Sequence, residues 1–92
     1  MIYVTQIRLS PPDSQQHEHI THVRWVEAGR AKTEVITRQE AVDWLNTGAS
    51  NRLWVRGTPK DSEVLVVDAD PPYLRTAADG YYNNNLLSLP RF

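Results

Sequence analysis

The fold of this sequence is decided by the stretch Thr37–Gly48, TRQEAVDWLNTG, which carries its clearest helix signal. Thr37 can cap the N-terminus, and Glu40 follows at the three-residue spacing of a capping box. Apolar residues then recur along one helical face, at Ala41, Val42, Trp44 and Leu45. Gly48 predicts that the helix ends in the left-handed conformation. We therefore expect a single helix over about Arg38–Thr47.

Two strands and a short return strand are predicted before the helix. Ile2–Leu9 and Ile20–Glu27 are rich in β-branched and aromatic residues, which is typical of strands. Pro11 and Pro12 break the chain between them, because proline cannot donate to a strand ladder. After a turn at Gly29, Thr33–Ile36 has the composition of a short return strand.

Three further strands are predicted after the helix, at Arg52–Arg56, Glu63–Ala69 and Tyr73–Thr76. The second contains the continuous apolar run Val64–Val67, which predicts a central strand buried on both faces. The apolar segment Leu86–Pro90 is expected to dock across the core. The fold class expected is α+β, with a single helix packed on one face of a mostly antiparallel sheet of about five strands, in the order β-β-α-β-β-β.

Length and composition restrict the class of protein. The 92 residues predict one domain, 1–92, and the net charge of −1 gives no overall attraction to nucleic acid or to an acidic membrane. The sequence has no cysteine, so neither disulfides nor thiolate chemistry are expected. It has neither a secretory signal pattern at its start nor an apolar run of about 20 residues. We expect a cytoplasmic protein with no membrane association.

Three parts of the sequence together resemble a known family. They are the helix segment from Arg38 to Gly48, the strand Val64–Val67, and the run from Tyr73 to Pro90 with its Ala78-Asp79-Gly80 and Asn84-Asn85-Leu86-Leu87 motifs. This pattern is similar to the short bacterial and phage proteins catalogued as domain of unknown function 3892, best over residues 38–90. The resemblance implies a shared fold and no reaction. The family's bacterial and phage spread suggests, as one setting, a phage-type inhibitor of a host complex.

Arginines and aromatic residues alternate with apolar residues on the predicted strands. Since side chains alternate between the two faces of a strand, Leu53 and Val55 would point inward and their neighbours outward. If the strands adjoin, one sheet face would carry Arg52, Trp54, Arg56, Tyr73 and Arg75, which Arg24 could extend. This composition is typical of protein interfaces and of platforms on which nucleic-acid bases stack.

Three interpretations of this face remain open. The first is a non-enzymatic binding module acting on a macromolecular partner, with a protein favoured because the overall charge is close to neutral. The second is a nucleic-acid-binding protein using the same residues. The third is a structural face, in which the arginines pair with Asp61 and Glu63 across strands and the C-terminal segment covers Trp54. A homodimer formed through an edge strand is a further alternative.

Metal binding has weaker candidates. Asp68 and Asp70 lie two residues apart at the end of a strand and could share a face, which would suit a divalent-metal-dependent enzyme. Asp before a pair of prolines is also ordinary turn chemistry. His17 and His19 share a face if the segment is extended, whereas His22 would point away from them. No nucleotide-binding loop or nucleophile motif is present, so we expect no cofactor and no enzymatic activity.

Overall fold

The computed structural model of this chain describes residues 1–57, 60–76 and 86–92. This part of the chain forms one helix and one six-stranded sheet. The elements are β1 (Ile2–Leu9), β2 (Ile20–Glu27), β3 (Thr33–Thr37), α1 (Arg38–Thr47), β4 (Leu53–Val55), β5 (Ser62–Val67) and β6 (Tyr73–Thr76). The strand order is β3-β2-β1-β4-β5-β6, with β1 and β4 parallel and the other neighbours antiparallel. The α+β class is confirmed, with six strands in place of about five.

The predicted element bounds are confirmed where the local signals are strongest. The bounds of β1, β2, α1 and β6 are those expected, and the short return strand is present as β3. β4 is shorter than predicted, because Arg52 and Arg56 lie outside the strand ladder. β5 ends at Val67, two residues before the predicted end. The Ala78-Asp79-Gly80 motif, whose Asp-Gly pair predicts a turn, lies outside the described residues.

The helix begins as predicted but ends differently. Thr37 Oγ1 accepts a hydrogen bond from the Glu40 backbone N–H at 3.1 Å, and Glu40 Oε1 accepts one from the Thr37 N–H at 3.0 Å. The prediction of a left-handed Gly48 is wrong, since its φ of −150° is extended. The side-chain amide of Asn51 instead donates to the Trp44 carbonyl at 2.8 Å, so a side chain caps this end of the helix.

The core lies between the helix and the face of the sheet that packs against it, called here the inner face. Its fully buried members come from β1, β2, α1, β4, β5, β6 and the C-terminal segment. They are Val4, Ile7, Leu9, Ile20, Val23, Ala41, Val42, Leu53, Val55, Val64, Leu74 and Leu86. The expectation that β5 is buried on both faces is wrong, because Leu65 is 41% exposed on the opposite face.

The helix contacts strands at both ends of the sheet. It packs against β2 and β3 on one side and against β6 on the other. Because β1, β4 and β5 lie between β2 and β6, the sheet must curve around the helix. Trp44 on α1 and Trp25 on β2 meet edge to face, with ring centroids 5.2 Å apart, and both pack against the core.

β1 contains an irregularity that sequence alternation does not show. Val4 and Ile7 are both buried in the core, although residues three apart on a regular strand point to opposite faces. The register with β2 shifts between Val4 and Gln6, so Thr5 is the extra residue of a bulge. The bulge keeps both halves of β1 in contact with the core and leaves Tyr3, Gln6 and Arg8 on the other face.

The described part of the C-terminal segment docks against β1. Leu86 is fully buried in the core, which confirms that this segment packs across it. The Ile7 backbone N–H donates to the Pro90 carbonyl at 3.0 Å, and the Phe92 N–H donates to the Ile7 carbonyl at 3.1 Å. The segment thus runs parallel to the second half of β1, while β4 pairs with the first half.

Candidate functional site

The sheet has a second face, opposite the helix, which we call the outer face. On β4, Leu53 and Val55 are fully buried, so Trp54 between them points outward. Trp54 lies opposite Tyr3 on β1 and opposite Glu63 on β5, and all three side chains are therefore on the outer face. Trp54 itself is half-buried.

Tyr73 and Arg75, the predicted site residues of β6, also lie on the outer face. β5 separates them from Trp54 on β4. Leu74 is fully buried, so Tyr73 and Arg75 on either side of it point outward. Arg75 lies opposite Leu65, and Tyr73 lies opposite Val67. The condition that β4 and β6 adjoin is not met, because β5 pairs with both of them. About 10 Å of sheet therefore separates β6 from β4, and the exposed side chain of Leu65 lies in that interval.

Arg24 extends the outer face onto β2, as predicted. It lies opposite Gln6 on β1 and opposite Val35 on β3, whose side chain is 47% exposed. Its guanidinium carbon is 4.8 Å from the centroid of the Phe92 ring. The guanidinium carbon of Arg8 is 4.7 Å from the same centroid. The C-terminal segment therefore covers this end of the outer face.

A compact cluster lies where β1 meets β4. The Tyr3 hydroxyl donates a hydrogen bond to Asp61 Oδ2 at 3.0 Å, and the Gly57 N–H donates to Asp61 Oδ1 at 3.1 Å. The guanidinium carbon of Arg56 lies 3.9 Å from the centroid of the Tyr3 ring. The hydrogen bond to Asp61 raises the pKa of Tyr3, and burial of the phenol raises it further.

The outer face carries more positive than negative charge. Arg8, Arg24, Arg52, Arg56 and Arg75 lie on it or at its rim. Its two carboxylates in the described part of the chain are engaged. Asp61 is bound by Tyr3 and Gly57, and Glu63 is bound by Arg52, whose Nη1 is 3.2 Å from Glu63 Oε2. The predicted pairing with Glu63 thus holds for one arginine. Among the described residues, Arg8, Arg24, Arg56 and Arg75 form no ion pair with an acidic side chain.

Sequence reasoning missed several members of this face, among them two arginine-binding rings and one arginine. Tyr3, Arg8 and Phe92 join it through contacts between residues far apart in the chain. Alternation along Ile2–Leu9 could have placed Tyr3 outward, since Ile2 and Val4 on either side are apolar. The bulge at Thr5 hides the outward direction of Arg8, and no local pattern places Phe92 against it.

The weaker metal candidates are not assembled into a site. His17 and His19 lie in a single 3-10 turn, so the extended geometry assumed for them does not exist. His19 Nδ1 is 2.7 Å from Ser14 Oγ, a hydrogen bond inside the loop that precedes β2. Asp68 and Asp70 are exposed beyond the end of β5. Within residues 1–57, 60–76 and 86–92, no three side chains of His, Cys, Asp or Glu form a metal-binding group.

A groove of about 360 Å³ lies away from these residues, at the β2–β3 hairpin. Its floor includes Ile2 and Trp25, and charged side chains of the hairpin form its walls. Both of its carboxylates have partners, since Glu27 pairs with Arg30 at 3.2 Å and Glu34 accepts a long hydrogen bond from Trp25 Nε1 at 3.5 Å. The groove therefore offers a ligand fewer unpaired charges than the outer face does.

The fold and site define a small α+β protein, with one helix behind a curved sheet and an arginine-rich outer face. The family model described as "Protein of unknown function (DUF3892)" matches residues 3–90, so the chain belongs to this family. The match covers nearly the whole chain and includes the first strands. No curated protein and no solved structure matches it. Among the described residues, no helix is long and apolar enough to cross a membrane.

Proposed function

We propose that this chain is a non-enzymatic interaction module that binds a protein partner through the outer face of its sheet. The observation that carries the proposal is the composition of that face. Arg75 lies opposite exposed Leu65 and Arg24 lies opposite exposed Val35. Neither arginine pairs with an acidic side chain among the residues that the structure describes. Arginine and aromatic residues are enriched in protein interfaces. The exposed aliphatic side chains beside them would add apolar area to bury.

A protein partner accounts for the aromatic rings better than a nucleic acid does. Bases stack on exposed ring faces. Here the Tyr3 ring lies under the Arg56 guanidinium and is only 6% exposed, and two guanidinium groups lie over the Phe92 ring. Trp54 and Tyr73 are half-buried. The unpaired arginines favour nucleic acid as the second candidate, because each phosphate contact would release counterions.

The two shifted pKa values among the described residues do not indicate a catalytic group. Catalytic groups are commonly recognised by a shifted pKa inside a cleft. The pKa of Tyr3 is raised by its hydrogen bond to Asp61, and the pKa of Glu40 is lowered by the hydrogen bonds of the helix cap. Both causes are contacts that hold the fold together.

The test is a pull-down from bacterial lysate, with and without nuclease. Tagged wild-type protein is compared with the Leu65→Ser/Arg75→Glu variant, which changes two exposed side chains and should fold normally. The matched control is Lys32→Glu, which makes the same charge reversal on the hairpin, away from the outer face. We expect a partner that survives nuclease and is lost with Leu65→Ser/Arg75→Glu alone. Signal abolished by nuclease would favour nucleic acid, and equal retention by all three proteins would contradict the proposal.

A further inference from the structure

We propose that Arg8 and Arg24, whose guanidinium groups both contact the Phe92 ring, form an anchoring site for a carboxylate side chain of the protein partner. This inference rests on the proposed function and deepens it, because it names the chemistry that the outer face recognises. It also adds Arg8 and Phe92 to the site.

Two neighbouring strands bring the arginines together. Arg8 is near the end of β1 and Arg24 is in the middle of β2, and both point to the outer face. Their guanidinium carbons lie 4.7 and 4.8 Å from the centroid of the same ring. A phenyl ring attracts cations through its negative face, so Phe92 offsets part of the repulsion between the two charges.

The backbone of Phe92, whose ring contacts both arginines, is held in place by hydrogen bonds. The Phe92 N–H donates to the Ile7 carbonyl at 3.1 Å, and Arg8 Nε donates to the Phe92 carbonyl at 3.1 Å. The neighbouring Arg91 donates from Nη1 to the Pro12 carbonyl at 2.9 Å. These bonds hold the backbone that carries the Phe92 ring before a partner arrives, and preorganisation of this kind reduces the entropy lost on binding.

Among the described residues, no acidic side chain forms an ion pair with either arginine. Arg8 Nε donates to the main-chain oxygen of Phe92 at 3.1 Å. The Nε atom of Arg24 is buried and has no hydrogen-bond partner among the described residues. Guanidinium groups bind carboxylates with two parallel hydrogen bonds, and a partner carboxylate here would supply the missing opposite charge. Val35, opposite Arg24, would add an apolar contact that suits a protein.

The direct test is an NMR titration of the wild-type protein with an octaglutamate peptide, in which the side-chain Nε–H signals of arginine are followed. We expect the Arg8 and Arg24 signals to shift, while that of Arg30, already paired with Glu27 on the hairpin, stays in place. Stationary Arg8 and Arg24 signals would overturn the inference. Single-stranded DNA of the same charge is the second titrant, and larger shifts with DNA would assign the site to phosphate instead.

A second experiment uses the partner retained in the pull-down. Arg8→Gln/Arg24→Gln is compared with Arg30→Gln/Lys32→Gln, which removes two exposed positive charges outside the outer face. We expect at least about a tenfold loss of affinity for the first variant alone, because charge-assisted hydrogen bonds are lost. Circular dichroism checks that both fold, and the single variant Arg8→Gln, at an exposed position, should lose affinity in the same direction.

The two proposals can fail separately. A partner that binds Arg8→Gln/Arg24→Gln as tightly as wild type would overturn the anchoring site and leave the interaction module in place. If the wild-type protein retains no nuclease-resistant partner, the proposed interaction module is contradicted. The peptide titration would then be the test that decides whether Arg8 and Arg24 bind a carboxylate.

Discussion

Tyr3 and Asp61 lie 58 positions apart in the chain and meet in a hydrogen bond of 3.0 Å between the phenol and Oδ2. Tyr3 is on β1, whereas Asp61 directly precedes β5. The bond therefore joins β1 to the connection between β4 and β5, next to the one parallel strand pair of the described sheet. Arg56 over the Tyr3 ring completes this junction.

The first prediction concerns alkaline pH. The Asp61 hydrogen bond raises the folded pKa of Tyr3 above its ordinary value of 10.0. A raised folded pKa means that this stabilisation is fully present below pH 10.0 and is lost as the pH rises through the folded value. We expect the Tm to fall more steeply in that range for wild type than for Tyr3→Phe, which cannot ionise. Equal alkaline slopes for the two proteins would contradict the shift.

The second prediction concerns the helix cap at acid pH. The hydrogen bond from the Thr37 backbone lowers the pKa of Glu40 below its ordinary 4.5. This contribution to stability is present above pH 4.5 and is lost as the pH falls through the folded value. Glu40→Gln keeps the reciprocal hydrogen bonds and has no carboxyl group to protonate. Its free energy of unfolding should therefore decrease less on acidification than that of wild type. Urea unfolding between pH 3 and 6 measures the difference.

The third prediction separates the two ends of the helix. Thr37→Ala should cost about 1 kcal/mol, since it removes the side-chain acceptor at the N-cap. Asn51→Ala should cost about 1 kcal/mol through loss of its bond to the Trp44 carbonyl. Ser50→Ala, at a neighbouring exposed position, is the control and should change stability by less than about 0.5 kcal/mol. Chemical denaturation of the three variants checks this, and a neutral Asn51→Ala would show that Asn51 does not cap the helix.

The fourth prediction contrasts two leucines. Leu86→Ala should cost about 2–5 kcal/mol, because it leaves a cavity in the core. A domain of this size has a stability of the order of 5 kcal/mol, so the variant should be largely unfolded at 37 °C. Leu65→Ala, at a 41% exposed position, should fold normally and lose partner binding. Thermal melts measure the stability of both variants, and the pull-down measures the loss of binding by Leu65→Ala. A stable Leu86→Ala would show that the C-terminal segment is not part of the core.

Local patterns predicted the elements and left their arrangement open. The helix bounds follow from the Thr37 and Glu40 spacing, and β6 follows from the alternation of Leu74 with polar neighbours. The helix end could not be predicted from Gly48, because a side chain three residues later provides the cap. The parallel contact of β1 with β4 joins Tyr3 to Trp54, and no sequence-local signal specifies such a pairing.

Strand alternation correctly predicted that the side chains of Trp54 and Arg75 point to the outer face. The apolar run Val64–Val67 predicted that Leu65 is buried, and its exposure contradicts that prediction. Burial depends on which elements cover a strand and not on its hydrophobicity alone. The Arg8–Phe92–Arg24 cluster escaped prediction because it needs the bulge in β1 and the docked C-terminal segment together.

The most direct test of the outer face as a binding surface is hydroxyl-radical footprinting of the complex with the partner retained in the pull-down. Leu65 and Trp54 report on the outer face, and Trp44 on α1 is the internal control. The account predicts that oxidation of Leu65 and Trp54 falls in the complex while that of Trp44 is unchanged. Protection of Trp44, with Leu65 and Trp54 oxidised as in the free protein, would contradict it.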